Sequence, residues 1–426
     1  MKIVIVGYGP GGAAAAVTAR TFNSDTEVTI VTEETLESHK KPGASMALEF
    51  PDTPDLRIED WSFEALSKKK ITILSGTKVT GGDSKTKEIY IKGPQREKTL
   101  KYDKLILATG GIPAIPNIPG VDLSGVFTIQ TMVDTSEIGK QLSEMESIVV
   151  VGAGFSGLET AERLLLLGKK VHLIVRSRLM RKQLEEPMSL ELRSRLPDRL
   201  QVHLDKSPTA VVGKEKVEGI TIDGTTIDAD AVLFMTGIRP NIALAETLGL
   251  KIGQLGGIVA DEAMRTSVND IFAVGDCVEM KDSLTGKPLL LPIGSVAARA
   301  GRQAGMIAAG GSKIYDDTFR RLQYDRIFGN DIVVVGHSST TAEKMGVKTD
   351  VHFVEDPVEF TKVALVTSDN GRLIGGQVIS SRMGSRLAYE ILDRVEAGAK
   401  LNDKPLLKSR HKRLREYIES TFGPIQ

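Results

Sequence analysis

The chain holds a single cysteine, Cys277, among 426 residues. One thiol excludes an intrachain disulfide and a thiolate metal cluster, and it matches the cysteine usage of a reducing compartment. Net charge is also absent, since 55 Lys plus Arg balance 55 Asp plus Glu. No overall basicity therefore directs the chain to nucleic acid. Long apolar runs are missing too: Gly or a charge breaks each one well short of the roughly 20 residues that a membrane span needs. The apolar start leads straight into a glycine turn without a cleavage pattern, so no signal peptide is expected and the cytoplasm is the expected location. Neither His337 nor His352 stands in a metal-ligand pattern. What is present, 41% hydrophobic and 26% charged residues, is the balance of a globular protein, and at this length two or three domains are expected.

Residues 1–6 read as a buried strand, and Gly7-Tyr8-Gly9-Pro10-Gly11-Gly12 then opens onto an alanine-rich helix over 13–20. Strand, glycine turn and small-residue helix make a dinucleotide-binding fingerprint. The first glycine allows the tight turn, the second lets backbone approach a pyrophosphate, and the third lets helix and strand pack closely. The helix N-terminus then presents free N–H groups and a positive dipole end to the phosphates. A second strand, 28–32, ends at Glu33, about 20 residues beyond the last glycine, where a ribose-binding carboxylate belongs.

The pattern occurs twice. Residues 147–151 form a strand, Gly152-Ala153-Gly154-Phe155-Ser156-Gly157 the turn, and 158–167 an apolar helix ended by Gly168. The strand over 171–175 ends not on an acid but on Arg176, with Arg178, Arg181 and Lys182 close behind. A carboxylate there would bond both ribose hydroxyls and repel a 2′-phosphate, whereas a guanidinium binds phosphate bidentately and keeps its charge. NADPH is therefore favoured over NADH.

Elsewhere the pattern predicts an amphipathic helix over 61–70, a strand over 71–74 and a hairpin through 79–91. A buried strand ends at Ala108-Thr109-Gly110, and Pro113, Pro116 and Pro119 mark a domain boundary. Further apolar strands run into Thr236-Gly237-Ile238-Arg239-Pro240-Asn241 and into Val274-Gly275-Asp276, and a small-residue helix covers 292–310. Asp276 taken alone reads as a helix N-cap. From about Tyr315, alternating segments at 332–335, 351–354, 363–367 and 373–378 predict an antiparallel sheet closed by a helix over 386–397.

With both fingerprints and these three motifs in order, the chain resembles the pyridine nucleotide-disulfide oxidoreductase superfamily, and its C-terminal segment is similar to that of the NADH oxidase and coenzyme A-disulfide reductase branch. The resemblance implies an α/β fold with two Rossmann-like dinucleotide-binding domains plus a C-terminal α+β dimerisation domain. The expected boundaries are 1–112 with 242–314 for FAD, 113–241 for NAD(P)H and 315–426 for dimerisation. It implies that Gly7, Gly9, Pro10, Gly12, Glu33, Thr109, Gly110 and Asp276 bind FAD. Gly152, Gly154, Gly157, Arg176, Arg178 and Gly237 would bind the nicotinamide nucleotide, with Glu159 as the carboxylate near flavin and nicotinamide.

One departure changes the implied chemistry. Relatives that reduce disulfides place a cysteine against the flavin on the segment equivalent to Lys41-Pro42-Gly43-Ala44-Ser45-Met46, at Gly43 or Ala44, and here it is absent. The histidine that some oxidase relatives carry in the first glycine turn is replaced by Pro10. Ser45 has no thiolate to offer, and Cys277 beside a buried strand reads as a packing residue. The expected enzyme is an FAD-dependent NAD(P)H oxidoreductase passing hydride to FAD and then electrons directly to oxygen, a quinone or a small electron-transfer protein. A redox-sensing NAD(P)H-binding flavoprotein is one alternative, and a disulfide or polysulfide reductase using a thiol not evident here is another. Lys40 and Lys41 read as solvated loop lysines or as a docking surface for an acidic partner. The basic tail 408–415, with Leu414, Ile418 and Phe422 on one face, reads as a terminal helix packing on the dimer domain, with an amphipathic membrane-surface helix as the alternative.

Overall fold

The computed structural model describes residues 1–40, 43–50, 56–94, 97–282, 284–315, 320–382 and 384–403. In chain order, the elements used below begin with β1 (Lys2–Val6), α1 (Pro10–Phe22), β2 (Glu27–Val31), β3 (Ile71–Leu74) and β4 (Lys104–Leu107). Next come β5 (Ser147–Val151), α2 (Phe155–Leu166), β6 (Lys170–Val175), α3 (Glu186–Ser194), β7 (Gln201–Leu204) and β8 (Ala231–Phe234). They are followed by β9 (Ile271–Ala273), α4 (Gly294–Ala308), β10 (Leu322–Ile327), β11 (Asn330–Gly336) and α5 (Ser339–Lys344). The last are β12 (Thr349–Asp356), β13 (Thr361–Ser368), β14 (Leu373–Ser380) and α6 (Gly384–Glu396). The described residues of 1–113, 130–133 and 238–319 form one compact unit, and those of 114–129, 134–237 and 320–403 another.

The first unit is built on a parallel sheet ordered β9-β4-β1-β2-β3. Its central strands are apolar at consecutive positions, with Ile3, Ile5, Leu105, Ile106 and Leu107 fully buried, as a sheet covered on both faces requires. Helices α1 and α4 meet backbone to backbone. A Cβ on Gly301 would stand 2.1 Å from the Gly11 carbonyl oxygen, and one on Gly305 2.3 Å from that of Ala15. The small residues that mark both helices in the sequence are thus what lets them approach.

Two sequence expectations change in this unit. The helix expected over 61–70 is confined to Phe63–Lys68, because Ser62 is extended and its Oγ accepts the Ala65 N–H at 3.1 Å, while Trp61 ends a separate 3₁₀ turn. The expected hairpin gains a third strand, so that Lys78–Asp83, Glu88–Lys92 and Glu97–Lys101 form an antiparallel meander.

The second unit repeats the parallel plan with the order β7-β6-β5-β8, extended by Val126–Phe127. It also carries the antiparallel sheet β10-β11-β14-β13-β12. On that sheet α6 covers one face with Leu387, Ile391 and Val395, while α3 packs against β13 and β14. All eight positions of β14 are buried in consequence. Among the described residues no helix is long and apolar enough to cross a membrane.

A buried and a half-buried imidazole face each other in this unit. His172 Nδ1 of β6 lies 3.1 Å from His203 Nε2 of β7, with ring centroids 5.4 Å apart. Burial, with His203 and Lys170 adding to it, pushes His172 from 6.5 down to about 4, and burial with Lys206 lowers His203. As pH falls, the unfolded chain therefore takes up these protons before the folded one does. The stability contributed by the neutral pair is intact above about 6.5 and declines toward pH 4. Thermal melts across that window are expected to show a shallower decline in His172→Phe than in the wild type; identical pH slopes would remove the pair as a cause.

Candidate functional site

The first glycine turn joins β1 to α1. Gly7 has φ +106°, and its N–H bonds the Val31 carbonyl at 2.8 Å. A Cβ on Gly7 would stand 2.1 Å from the Ala108 carbonyl oxygen, and one on Gly12 2.0 Å from that of Gly7. Both glycines serve the protein's packing on itself. Gly9 differs, because a Cβ there meets no atom within 4 Å. It is the N-cap of α1 with no side-chain cap, and Pro10 follows it, contributing helical φ without removing a needed N–H.

The second turn, from β5 to α2, has the same construction. Gly152 has φ +112° and its N–H bonds the Ile174 carbonyl at 2.9 Å. A Cβ on Gly152 would approach the Met235 carbonyl oxygen to 2.4 Å, and one on Gly157 that of Gly152 to 2.0 Å. Gly154 again looks into open space as an uncapped helix N-cap. In each turn the middle glycine thus borders a cradle, ahead of a helix whose first N–H groups lie before the hydrogen-bond ladder. That donor set fits the pyrophosphate of a dinucleotide.

Within the first unit, the Thr109 hydroxyl donates to the Asn241 carbonyl at 2.7 Å, and the Asn241 N–H to the Gly110 carbonyl at 2.9 Å. This ties the end of β4 to the antiparallel pair of Gly111–Pro113 with Ile238–Pro240. Half-buried Asp276 sits inside the 3₁₀ turn Gly275–Cys277, whose N-cap is Val274, so Asp276 is not a helix N-cap. Glu33 is exposed past the end of β2, with Lys78 Nζ 3.9 Å away. Sequence reasoning overlooked Tyr8, which is buried within the turn, stacks on Phe63 at 5.7 Å and donates its hydroxyl to the Trp61 carbonyl.

Gly43 and Ala44, where the resemblance would place a cysteine, open a tight turn. Gly43, at φ +87°, caps the 3₁₀ turn Ala44–Leu48, and a Cβ there would meet Leu56 Cδ2 at 3.2 Å. Ala44 and Ser45 are buried. Cys277 is fully buried, its Sγ 3.3 Å from the Val274 carbonyl oxygen, and burial pushes its thiol up. Lys40 is exposed, while Lys41, Pro42 and the basic tail lie outside the described residues.

In the second unit Glu159 is half-buried on α2, and Gly237 has φ +106° with open space at its Cβ position. Arg176 is exposed immediately after β6. Half-buried Arg178 donates through Nη1 to the Leu184 carbonyl, so part of its guanidinium holds the loop it belongs to.

Residues 1–304, which include both turns, match the family described as pyridine nucleotide-disulphide oxidoreductase. The chain belongs to that family. It is 37% identical over 320 residues to a protein named NADH oxidase from Methanocaldococcus jannaschii, covering 73% of this chain and 70% of the relative. It is 30% identical over 410 residues to the NAD(P)H sulfur oxidoreductase (CoA-dependent) of Pyrococcus furiosus, covering 93% and 90%. Among solved structures, a NAD-dependent persulfide reductase from A. fulgidus superposes with a TM-score of 0.87 at 28% identity, covering 94% of this chain and 78% of that one. The α/β architecture with two dinucleotide-binding domains is that of this family.

Proposed function

We propose that the protein is an FAD-dependent NAD(P)H oxidoreductase that prefers NADPH and passes electrons to its acceptor without a protein thiol. The observation that carries this reading is the pairing of two dinucleotide cradles with a chain whose one thiol is sealed in the core. The names of the relatives, NADH oxidase and NAD(P)H sulfur oxidoreductase, support the class of enzyme. Bound FAD supplies hydride acceptance and onward electron transfer. The chain's residues bind and orient. Gly9 and the start of α1 accept the FAD pyrophosphate, Glu33 the adenosine ribose, and Thr109, Gly110 and Asp276 the remainder of the cofactor. Gly154 and the start of α2 accept the nicotinamide nucleotide with Gly237, Arg176 reads its 2′-phosphate, and Glu159 supplies a carboxylate to the nicotinamide end. The acceptor classes compatible with thiol-free chemistry are oxygen, a quinone and a small redox protein, and the C-terminal α+β segment would support a homodimer.

A sulfur-reducing role is favoured by the names of the Pyrococcus furiosus relative and the A. fulgidus structure. Against it, a buried thiol held toward its neutral form is a poor nucleophile. Anaerobic titration with NADPH and NADH, followed by visible absorption and by reoxidation with oxygen, quinone, disulfide and iron-sulfur acceptors, separates the readings. Cys277→Ala is expected to leave turnover unchanged. Loss of activity in that variant, or rapid disulfide reduction by the wild type, would replace the thiol-free mechanism. Slow reoxidation by every acceptor would favour the redox-sensing alternative.

A further inference from the structure

The basic loop after β6 is held by the C-terminal sheet. Gln377 lies on β14 and is 1% exposed, so its amide must find partners inside the protein. Both partners belong to Glu185, at the end of the loop. Gln377 Oε1 accepts the Glu185 N–H at 2.6 Å, and Gln377 Nε2 donates to Glu185 Oε1 at 3.0 Å. Two bonds to one residue fix its orientation as well as its place.

The buried Glu185 carboxylate is completed by α5. It accepts the Ser339 N–H at 2.8 Å and the Ser339 hydroxyl at 2.5 Å. Next to it, the Ser338 hydroxyl donates to the Lys182 carbonyl at 3.0 Å. Midway along its length the loop returns to the second glycine turn, where the Met180 N–H bonds the Ala153 carbonyl at 2.8 Å, with Met180 at φ +47°. The loop bearing Arg176, Arg178 and Lys182 thus leaves β6, is pinned midway to the candidate pyrophosphate cradle and is fixed at its far end to the antiparallel sheet.

We infer that Gln377, with Ser339, is a positioning residue for cofactor choice: acting through Glu185, it sets the basic loop in the geometry that reads the 2′-phosphate of NADPH. The inference rests on the proposed NADPH preference. Its physical basis is that a guanidinium–phosphate pair depends steeply on geometry, so a loop free to drift loses the phosphate contact first. Contacts made by the glycine turn are common to both nucleotides and are unaffected.

The test is steady-state kinetics of the FAD-loaded enzyme with each nucleotide. Gln377→Met keeps the volume and removes both bonds. It is expected to raise KM for NADPH about tenfold, equivalent to about 1.4 kcal/mol, while KM for NADH and both kcat values stay within about twofold. Ser339→Ala removes only the hydroxyl bond to Glu185 and is expected to raise KM for NADPH about threefold, and it decides the question if Gln377→Met fails to fold. An equal rise for both nucleotides, or no change in a folded variant, overturns the inference, since a merely structural bond would not discriminate between them. Arg176→Ala serves as the reference. If it abolishes discrimination while Gln377→Met and Ser339→Ala both preserve it, the positioning role alone fails; if it leaves discrimination intact, the phosphate reading fails and takes this inference with it.

Discussion

Gly12→Val is expected to yield a colourless protein that melts well below the wild type, whereas Gly9→Ala is expected to fold normally and to bind FAD weakly. A Cβ at residue 12 would lie 2.0 Å from the Gly7 carbonyl oxygen and 3.0 Å from its carbon. These are backbone atoms, and Gly7 is anchored by its bond to Val31. The turn cannot yield without separating β1 from α1, which places the substitution among severe core changes, at about 3 kcal/mol or more. At Gly9 nothing lies within 4 Å, and φ −69°, ψ −177° is accessible to any residue. A methyl group there adds no strain but occupies the space proposed for the pyrophosphate, and an affinity loss of about tenfold is expected. Thermal melts of the two apoproteins and the ratio of flavin to protein absorbance read the two effects separately. Full flavin affinity in Gly9→Ala would place the pyrophosphate elsewhere.

Much of this arrangement was legible in the sequence because its causes are local. The demand for glycine at residues 12 and 157 arises within a dozen residues of chain, whereas that at residues 7 and 152 combines a local positive φ with the distant carbonyls of Ala108 and Met235. The adjoining strands are uniformly apolar because both faces of a parallel sheet are covered. The strand Glu97–Lys101 was not legible. Four of its five side chains are exposed, and it is held by backbone pairing to Glu88–Lys92, which leaves no mark in hydropathy. Ser62 was readable in retrospect as a cap, but the apolar periodicity running through Trp61 hid it. The bonds from Gln377 to Glu185 join distant segments through one amide, and no spacing rule reports such a pair.

Arg176→Ala is expected to reduce kcat/KM for NADPH about 100-fold and to leave NADH nearly unchanged, a loss of about 2.7 kcal/mol that lies within the range for charge-assisted hydrogen bonds. Arg176 is exposed at the end of β6 and makes no side-chain hydrogen bond or ion pair among the described residues, so its guanidinium is available to a ligand. Arg178 should behave differently. One of its nitrogens holds the Leu184 carbonyl, and Arg178→Ala is expected to loosen the loop and raise KM for NADPH about tenfold, with KM for NADH and both kcat values nearly unchanged. The two arginines therefore separate by size rather than by pattern: loss of the direct phosphate contact costs about 100-fold and loss of loop support about tenfold, each for NADPH alone. Because Arg176 is exposed, the wild-type advantage of NADPH should also shrink between low salt and about 0.5 M salt, whereas Arg176→Ala should show no such dependence. Equal losses for NADPH and NADH in Arg176→Ala, with the salt dependence retained, would assign the 2′-phosphate to another cation of the loop.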